Sequence, residues 1–185
     1  IAVVSGLFLY FNTDIVVLIL GAISFAVGIL YSFGPVPLSH MPLGEIFSGF
    51  FMGFIIIFIS IYIHIYNTDI IKLTIENKMI SLDMEYMPII TIFLVSIPAI
   101  IGIANIMLAN NICDIEDDLE NKRYTLPVFI GKDKSLKIFK VLHYISYSTI
   151  IILIFLDILP IFSSIVLLTV IPVKNNLFKF LSKQN

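Results

Sequence analysis

Between Asn110 and Leu126 the chain reads Asn110-Asn111-Ile112-Cys113-Asp114-Ile115-Glu116-Asp117-Asp118-Leu119-Glu120-Asn121-Lys122-Arg123-Tyr124-Thr125-Leu126, its most polar and most charged stretch. If this stretch is helical, Asn110, Asp114, Asp118 and Lys122 recur at i, i+4 and share one slowly drifting face. Asn111 and Asp117 flank that face. Two carboxylates one turn apart, with an amide before them, can hold a hard divalent cation. Mg²⁺ takes one or two carboxylates and completes its shell with water and substrate phosphate, so such a pair points to a phosphorylated substrate. Lys122 and Arg123 add positive charge for the same phosphates. Spacing alone leaves a second reading open: a solvated acidic helix end, with Asp118–Lys122 as a surface ion pair worth under about 1 kcal/mol.

The elements that must position these residues are membrane helices. Of the 185 residues, 59% are hydrophobic and 13% charged, against roughly 45–50% and 25% in soluble domains. A water-soluble fold could not cover that much apolar surface. In lipid the backbone must satisfy itself, which leaves helices or a closed barrel, and long unbroken apolar runs exclude the barrel. The expected fold is therefore all-α, a polytopic transmembrane bundle. A span needs about 20 apolar residues. Full spans are expected at about 15–33, 46–66, 86–109 and 135–156, with a short one at 158–173 broken by Pro160 and Pro172. Residues 1–11 read as the severed end of a further span, so the chain reads as a membrane-domain fragment. The Gly34–Glu45 loop, with Pro35, Pro37 and Pro42, ends a helix. Asn67–Glu85 reads as a polar connector with room for a short helix.

Alternation of the spans puts the Asn110–Lys134 loop, the Gly34–Glu45 loop and the tail after Val173 on one side. That side holds Lys122, Arg123, Lys132, Lys134, Lys137, Lys140, Lys174, Lys179 and Lys183; the other holds Lys72 and Lys78. The positive-inside rule then makes the aspartate-rich loop cytoplasmic, which in a bacterial-type cell means a multi-pass plasma-membrane protein. The net charge of −2 gives no case for nucleic-acid binding, and the single Cys113 excludes an internal disulfide. Oligomeric state is not encoded in any pattern of this sequence.

Asn-Asn-x-x-Asp-x-x-x-Asp, followed by Lys/Arg-x-Thr-Leu and Gly131-Lys132, resembles the second aspartate-rich motif of the UbiA superfamily of membrane prenyltransferases, most closely the branch that prenylates 1,4-dihydroxy-2-naphthoate in menaquinone synthesis. Tyr31-Ser32-Phe33-Gly34-Pro35-Val36-Pro37 and Pro42-Leu43-Gly44-Glu45 resemble the loop after that family's fourth helix. The resemblance covers essentially the whole chain. It implies Mg²⁺-dependent transfer of a polyprenyl group from its diphosphate to the aromatic acceptor, giving demethylmenaquinone. Asp114 and Asp118 would be the catalytic, metal-holding pair. Asn110, Asn111, Lys122, Arg123 and Tyr31 would contact substrate. It also implies earlier helices with another aspartate-rich motif, without which the chain is expected to be inactive. Rival readings are the same chemistry on 4-hydroxybenzoate or haem, a non-catalytic remnant, and a transporter. A transporter normally carries ionisable groups deep in its spans, where this chain has only the amide of Asn105.

Other residues have plainer readings beside the functional ones. Tyr31 also suits an interfacial tyrosine, and Glu45 an acid favoured at a helix start. His40 reads as a loop histidine, and His64 and His143 as structural. Phe47, Phe50, Phe51, Phe54 and Phe58 could stabilise an allylic cation, but a Phe-rich membrane helix also arises from packing alone. Asn105 is expected to face the bundle interior.

Overall fold

A computed structural model describes residues 1–34, 37–68, 70–76 and 79–184. Pro35, Val36 and Lys78, used in the motif and charge arguments, lie outside the described residues. Helix α1 spans Ala2–Asn12, and α2 spans Ile15–Ser32. Asp14 separates them because its carboxylate accepts from the amides of Val16 and Val17, an N-cap that starts a new helix. Its other oxygen accepts from the hydroxyl of Tyr62, which is fully buried.

Helices α3 (Gly44–Phe50) and α4 (Ile56–Ile65) form one span, joined by a π-helical turn at Phe51–Ile55. That turn lies where the span crosses α5 (Tyr86–Cys113). Gly49 and Gly53, four residues apart, permit the crossing. A Cβ on Gly53 would lie 2.5 Å from the Ile100 Cα, and one on Gly49 2.8 Å from the Ile100 carbonyl oxygen. Small residues at this spacing let two membrane helices meet backbone to backbone. The phenylalanines of the same span pack on one another, with Phe50–Phe54 at 5.3 Å and Phe54–Phe58 at 5.7 Å between ring centres; Phe54 also meets Phe93 of α5 edge-on. Their observed contacts are those of packing.

Beyond α5 come the short helices α6 (Ile115–Glu120) and α7 (Leu126–Ile130), then α8 (Lys132–Phe155). A 3₁₀ segment at Ile161–Thr169 leads into α9 (Val170–Gln184). Leu108 and Ile112 of α5, Leu136 and Phe139 of α8 and Leu177 of α9 form the cluster that holds these three together. Five helical segments among the described residues are long and apolar enough to cross a bilayer: Ile15–Ser32, Gly44–Thr68, Tyr86–Cys113, Lys132–Phe155 and Ile161–Gln184. The architecture is a multi-pass helical membrane bundle. Its outward apolar side chains, such as Ile19, Phe25, Ile106 and Phe155, suit lipid as solvent.

Two segments differ from expectation. The Asn67–Glu85 connector carries no short helix among its described residues beyond a single 3₁₀ turn at Tyr66–Thr68. It holds an antiparallel hairpin, β1 (Ile71–Glu76) with β2 (Met79–Met84), in a register that pairs Ile71 with Met84 and Leu73 with Leu82. The reason is legible afterwards: Ile71, Leu73 and Ile75 alternate with Lys72, Thr74 and Glu76, a period of two rich in β-branched residues. The last span also runs past 173 to Gln184, because Pro172 falls in the first turn of α9, where a missing N–H disrupts little.

Candidate active site

α5 stops at Cys113, and Asp114 sits between it and α6 with φ −101° and ψ 16°. The helical spacing survives the break, since the Asp118 amide donates to the Asp114 carbonyl at 2.7 Å. The two carboxylates nevertheless meet different surroundings. Asp114 is exposed and makes no side-chain hydrogen bond or ion pair among the described residues. Asp118 is 2% exposed; Thr125 Oγ1 donates to its Oδ2 at 2.9 Å, and the Arg123 guanidinium pairs with its Oδ1 at 3.3 Å.

Lys122 decides which cation Asp118 receives. Its φ of 55° ends the helical path and folds the chain back, so Arg123, not Lys122, reaches the carboxylate. The Arg123 amide donates to the Asp118 carbonyl at 2.8 Å and closes this turn. Lys122 is exposed. The surface pair Asp118–Lys122 is therefore replaced by a cluster of buried Asp118 and Thr125 with half-buried Arg123.

The Gly34–Glu45 loop docks on this cluster. The Tyr124 amide donates to the His40 carbonyl at 2.9 Å, and Arg123 Nη2 approaches the Ser39 carbonyl at 3.5 Å. Glu45, 5% exposed at the start of α3, accepts from Asn111 Nδ2 at 2.9 Å. Tyr31, at the end of α2, sets its hydroxyl against Gly44, where an added Cβ would lie 3.7 Å from it, and 3.7 Å from the Met107 sulfur. The tail arrives at the same face, where Gln184 Nε2 donates to Cys113 Sγ at 3.2 Å. The Asn110–Lys134 segment thus touches both the Gly34–Glu45 loop and the tail, the two segments that charge counting put on its side.

The sequence profile of the "UbiA prenyltransferase family" matches residues 1–184. The chain belongs to that family. Over 131 residues it is 29% identical to a protein of Bacillus subtilis (strain 168) named 1,4-dihydroxy-2-naphthoate octaprenyltransferase; the match takes in 71% of this chain and 36% of that protein. The chain thus spans about a third of the length of that relative. No solved structure matches.

In this UbiA-family chain the fold brings together Tyr31, Asn111, Asp118 and Arg123 of the expected site residues, and leaves Asn110, Asp114 and Lys122 exposed beside them. It also adds Glu45 and Thr125. Glu45 had an adequate explanation as a helix-start acid, and only the fold sets it against Asn111. Thr125 carried no signal beyond its place in the motif. Two buried atoms of the cluster lack hydrogen-bond partners among the described residues, Glu45 Oε2 and Arg123 Nε. Buried polar atoms without partners cost stability and are uncommon in structures.

No group of three or more His, Cys, Asp or Glu side chains that could hold a metal occurs among the described residues. The donor set fits a cation that takes most of its shell elsewhere. Asp114 offers a whole carboxylate, whereas Asp118 offers only the lone pairs left over from Thr125 and Arg123.

Proposed function

We propose that this chain forms part of a site that transfers a polyprenyl group from its diphosphate to 1,4-dihydroxy-2-naphthoate, releasing diphosphate and carbon dioxide and giving demethylmenaquinone in its reduced, quinol form. The observation that carries this is the meeting of two distant loops, at Tyr31–Glu45 and Asn111–Thr125, in one partly unsatisfied polar cluster at the end of an otherwise apolar bundle. Such a bundle can bathe a prenyl tail in hydrocarbon while a charged face receives its diphosphate. The name of the Bacillus relative supports the naphthoate acceptor over 4-hydroxybenzoate or haem.

Each residue then has a task. Arg123, held by Asp118 and the Ser39 carbonyl, neutralises the leaving diphosphate, and its unpartnered Nε is a donor for a phosphate oxygen. Lys122 adds a second, mobile charge from the exposed side of the same turn. Asp114, with help from Asp118, would hold Mg²⁺, which would supply further charge stabilisation to the diphosphate. Asn110 and Asn111 frame the same surface, Asn111 being fixed by Glu45. Tyr31 closes the side nearest the loop. Breaking the allylic C–O bond leaves a cation-like carbon, and the apolar spans keep water from it until the electron-rich ring attacks.

With most of the Lys and Arg residues on one face, this reading puts that face in the cytoplasm of a plasma-membrane protein. The test is a radiolabelled prenyl-transfer assay on the protein in its complete membrane context. Asp114→Ala should lower turnover by at least about 10³, since a cation with so few ligands cannot spare one. Near-normal turnover would remove the metal role. Expressing Ile1–Asn185 alone sharpens the point: activity from this piece by itself would show that a single aspartate motif suffices.

A further inference from the structure

The hairpin, at the start of α5 and so at the far end of the bundle from the aspartate-rich loop, has two unlike faces. Opposed residues of an antiparallel pair share a face, and neighbours along a strand alternate between faces. The register therefore sets Ile71 and Leu73 of β1 on one face with Met84 and Leu82 of β2, and Ile80 joins them there. The other face carries Lys72, Thr74, Ser81 and Asp83, with Met79 at its end. The two strands use the apolar face differently. Ile71 and Leu73 pack on the buried cluster of Val16, Val17, Phe58, Tyr62 and Ile92, so this face looks down onto the bundle end. On β2 the same face is 72% exposed at Ile80, 52% at Leu82 and 56% at Met84. β2 thus overhangs the bundle, with three large apolar side chains turned toward the level of the spans. Two contacts hold it in that attitude: the Glu85 amide donates to the Ile70 carbonyl at 2.9 Å, and the Tyr62 hydroxyl lies 3.2 Å from the Ile71 carbonyl.

Continuity with the spans says what covers this overhang. α5 follows β2 almost directly, and its exposed side chains Tyr86, Met87, Ile90 and Phe93 run on from those of the strand. They belong to a helix long and apolar enough to cross a bilayer, so the surface that β2 extends is a lipid-facing one. We propose that β2 rests on the bilayer surface, with Ile80, Leu82 and Met84 in the acyl boundary and Ser81 and Asp83 in water. The outer edge of the strand has unpaired N–H and C=O groups, which hydrocarbon cannot satisfy, so its backbone stays among headgroups and water. Only the apolar side chains enter, about 5–10 Å into the boundary, as in other interfacial amphipathic segments. A two-stranded hairpin is marginal by itself in water. Here the bundle covers the apolar side chains of one strand and lipid covers those of the other. This seat does not depend on the prenyl-transfer reading.

Trp is absent from the 185 residues, so a single introduced one reports its own surroundings. The test compares Ile80→Trp, Ser81→Trp, Leu82→Trp and Asp83→Trp in the full chain, reconstituted into phosphatidylcholine nanodiscs. Ile80→Trp and Leu82→Trp should emit farther to the blue and be quenched by acyl chains brominated near the headgroup. Ser81→Trp and Asp83→Trp should be quenched several-fold more strongly by aqueous iodide. Cysteine-linked nitroxides at the same four positions, in a Cys113→Ser background, guard against a tryptophan that disturbs the hairpin. Oxygen should reach the labels at Ile80 and Leu82 better, and a water-soluble nickel chelate those at Ser81 and Asp83. Equal iodide quenching at all four positions would put the strand in water. Blue-shifted emission at Ile80 and Leu82 without bromine quenching would mean that protein, such as a second copy of the chain, covers the face. Either result, or loss of the alternation in the nitroxide series, would overturn the lipid seat.

Discussion

Two carboxylates, half-buried Asp14 and buried Asp118, anchor opposite ends of this bundle, and they differ in how far their surroundings are satisfied. At the hairpin end, Asp14 caps α2 with one oxygen and accepts from Tyr62 with the other, while Tyr62 also lies 3.2 Å from the Ile71 carbonyl. At the other end, Asp118 is held by Thr125 and Arg123, and Arg123 Nε and the neighbouring Glu45 Oε2 have no hydrogen-bond partner among the described residues. A closed network fixes chain entry and turn geometry, and nothing further need bind there. An open one keeps unmet donors and acceptors in place at a cost in stability, which a ligand can recover. The same residue type thus serves structure at one face and, on the proposed prenyl-transfer reading, recognition at the other.

The largest contrast is topological. With Cys113 replaced by Ser, Ser81→Cys in the hairpin and Lys134→Cys beside α8 should label from opposite sides of the membrane, the second from the cytoplasm. Lys134 is the better probe because its neighbour Ser135 is fully buried. Labelling of both from one side would dissolve the comparison at its root.

Next comes catalysis against stability. Asp118→Ala should reduce prenyl transfer by about 10³ or more, because it frees Arg123 and removes a candidate ligand. Asp14→Ala should leave turnover within a few-fold while costing about 1–3 kcal/mol of stability through the lost cap and the lost hydrogen bond from Tyr62. Thermal unfolding in detergent alongside the transfer assay separates the two; equal turnover losses would erase the distinction. Gly53→Ala should destabilise by about 1–3 kcal/mol, since the new methyl meets the Ile100 backbone, which cannot yield as a flexible side chain would. A melting temperature unchanged from the parent would mean that the α3–α5 crossing is looser than its geometry. Smallest are the hydroxyl deletions. Thr125→Val and Tyr62→Phe should each cost about 1 kcal/mol, and only Thr125→Val should also raise the KM for prenyl diphosphate.

Much of this was legible from the residues. Apolar runs of span length and the Lys/Arg asymmetry between loops predicted one charged face and the segments that meet there, because burial and membrane orientation act on composition summed over many residues. The spacing from Asn110 to Asp118 anticipated helical geometry, four residues making about one turn, but not the left-handed turn at Lys122. The hairpin was missed although its alternation was present, since the expectation of helix throughout a membrane protein outweighed a six-residue pattern. The Gly-x-x-x-Gly spacing of Gly49 and Gly53 does not by itself say which helix it will meet.

The sequence by itself determined that the chain is a bundle of membrane helices with an aspartate-rich loop at one end, since hydropathy and local spacing are properties of contiguous residues. Only the tertiary structure decided which partners those residues take. A single left-handed residue at Lys122 hands Asp118 to Arg123. Docking of a loop some 70 residues earlier in the chain sets Glu45 against Asn111, 66 positions apart. The crossing of α5 and α8 sets Asn105 beside His143, 38 positions apart, in the wall of a cleft. Hydrogen bonds and close packing are short-ranged in space and indifferent to separation along the chain, so no local pattern could have specified them.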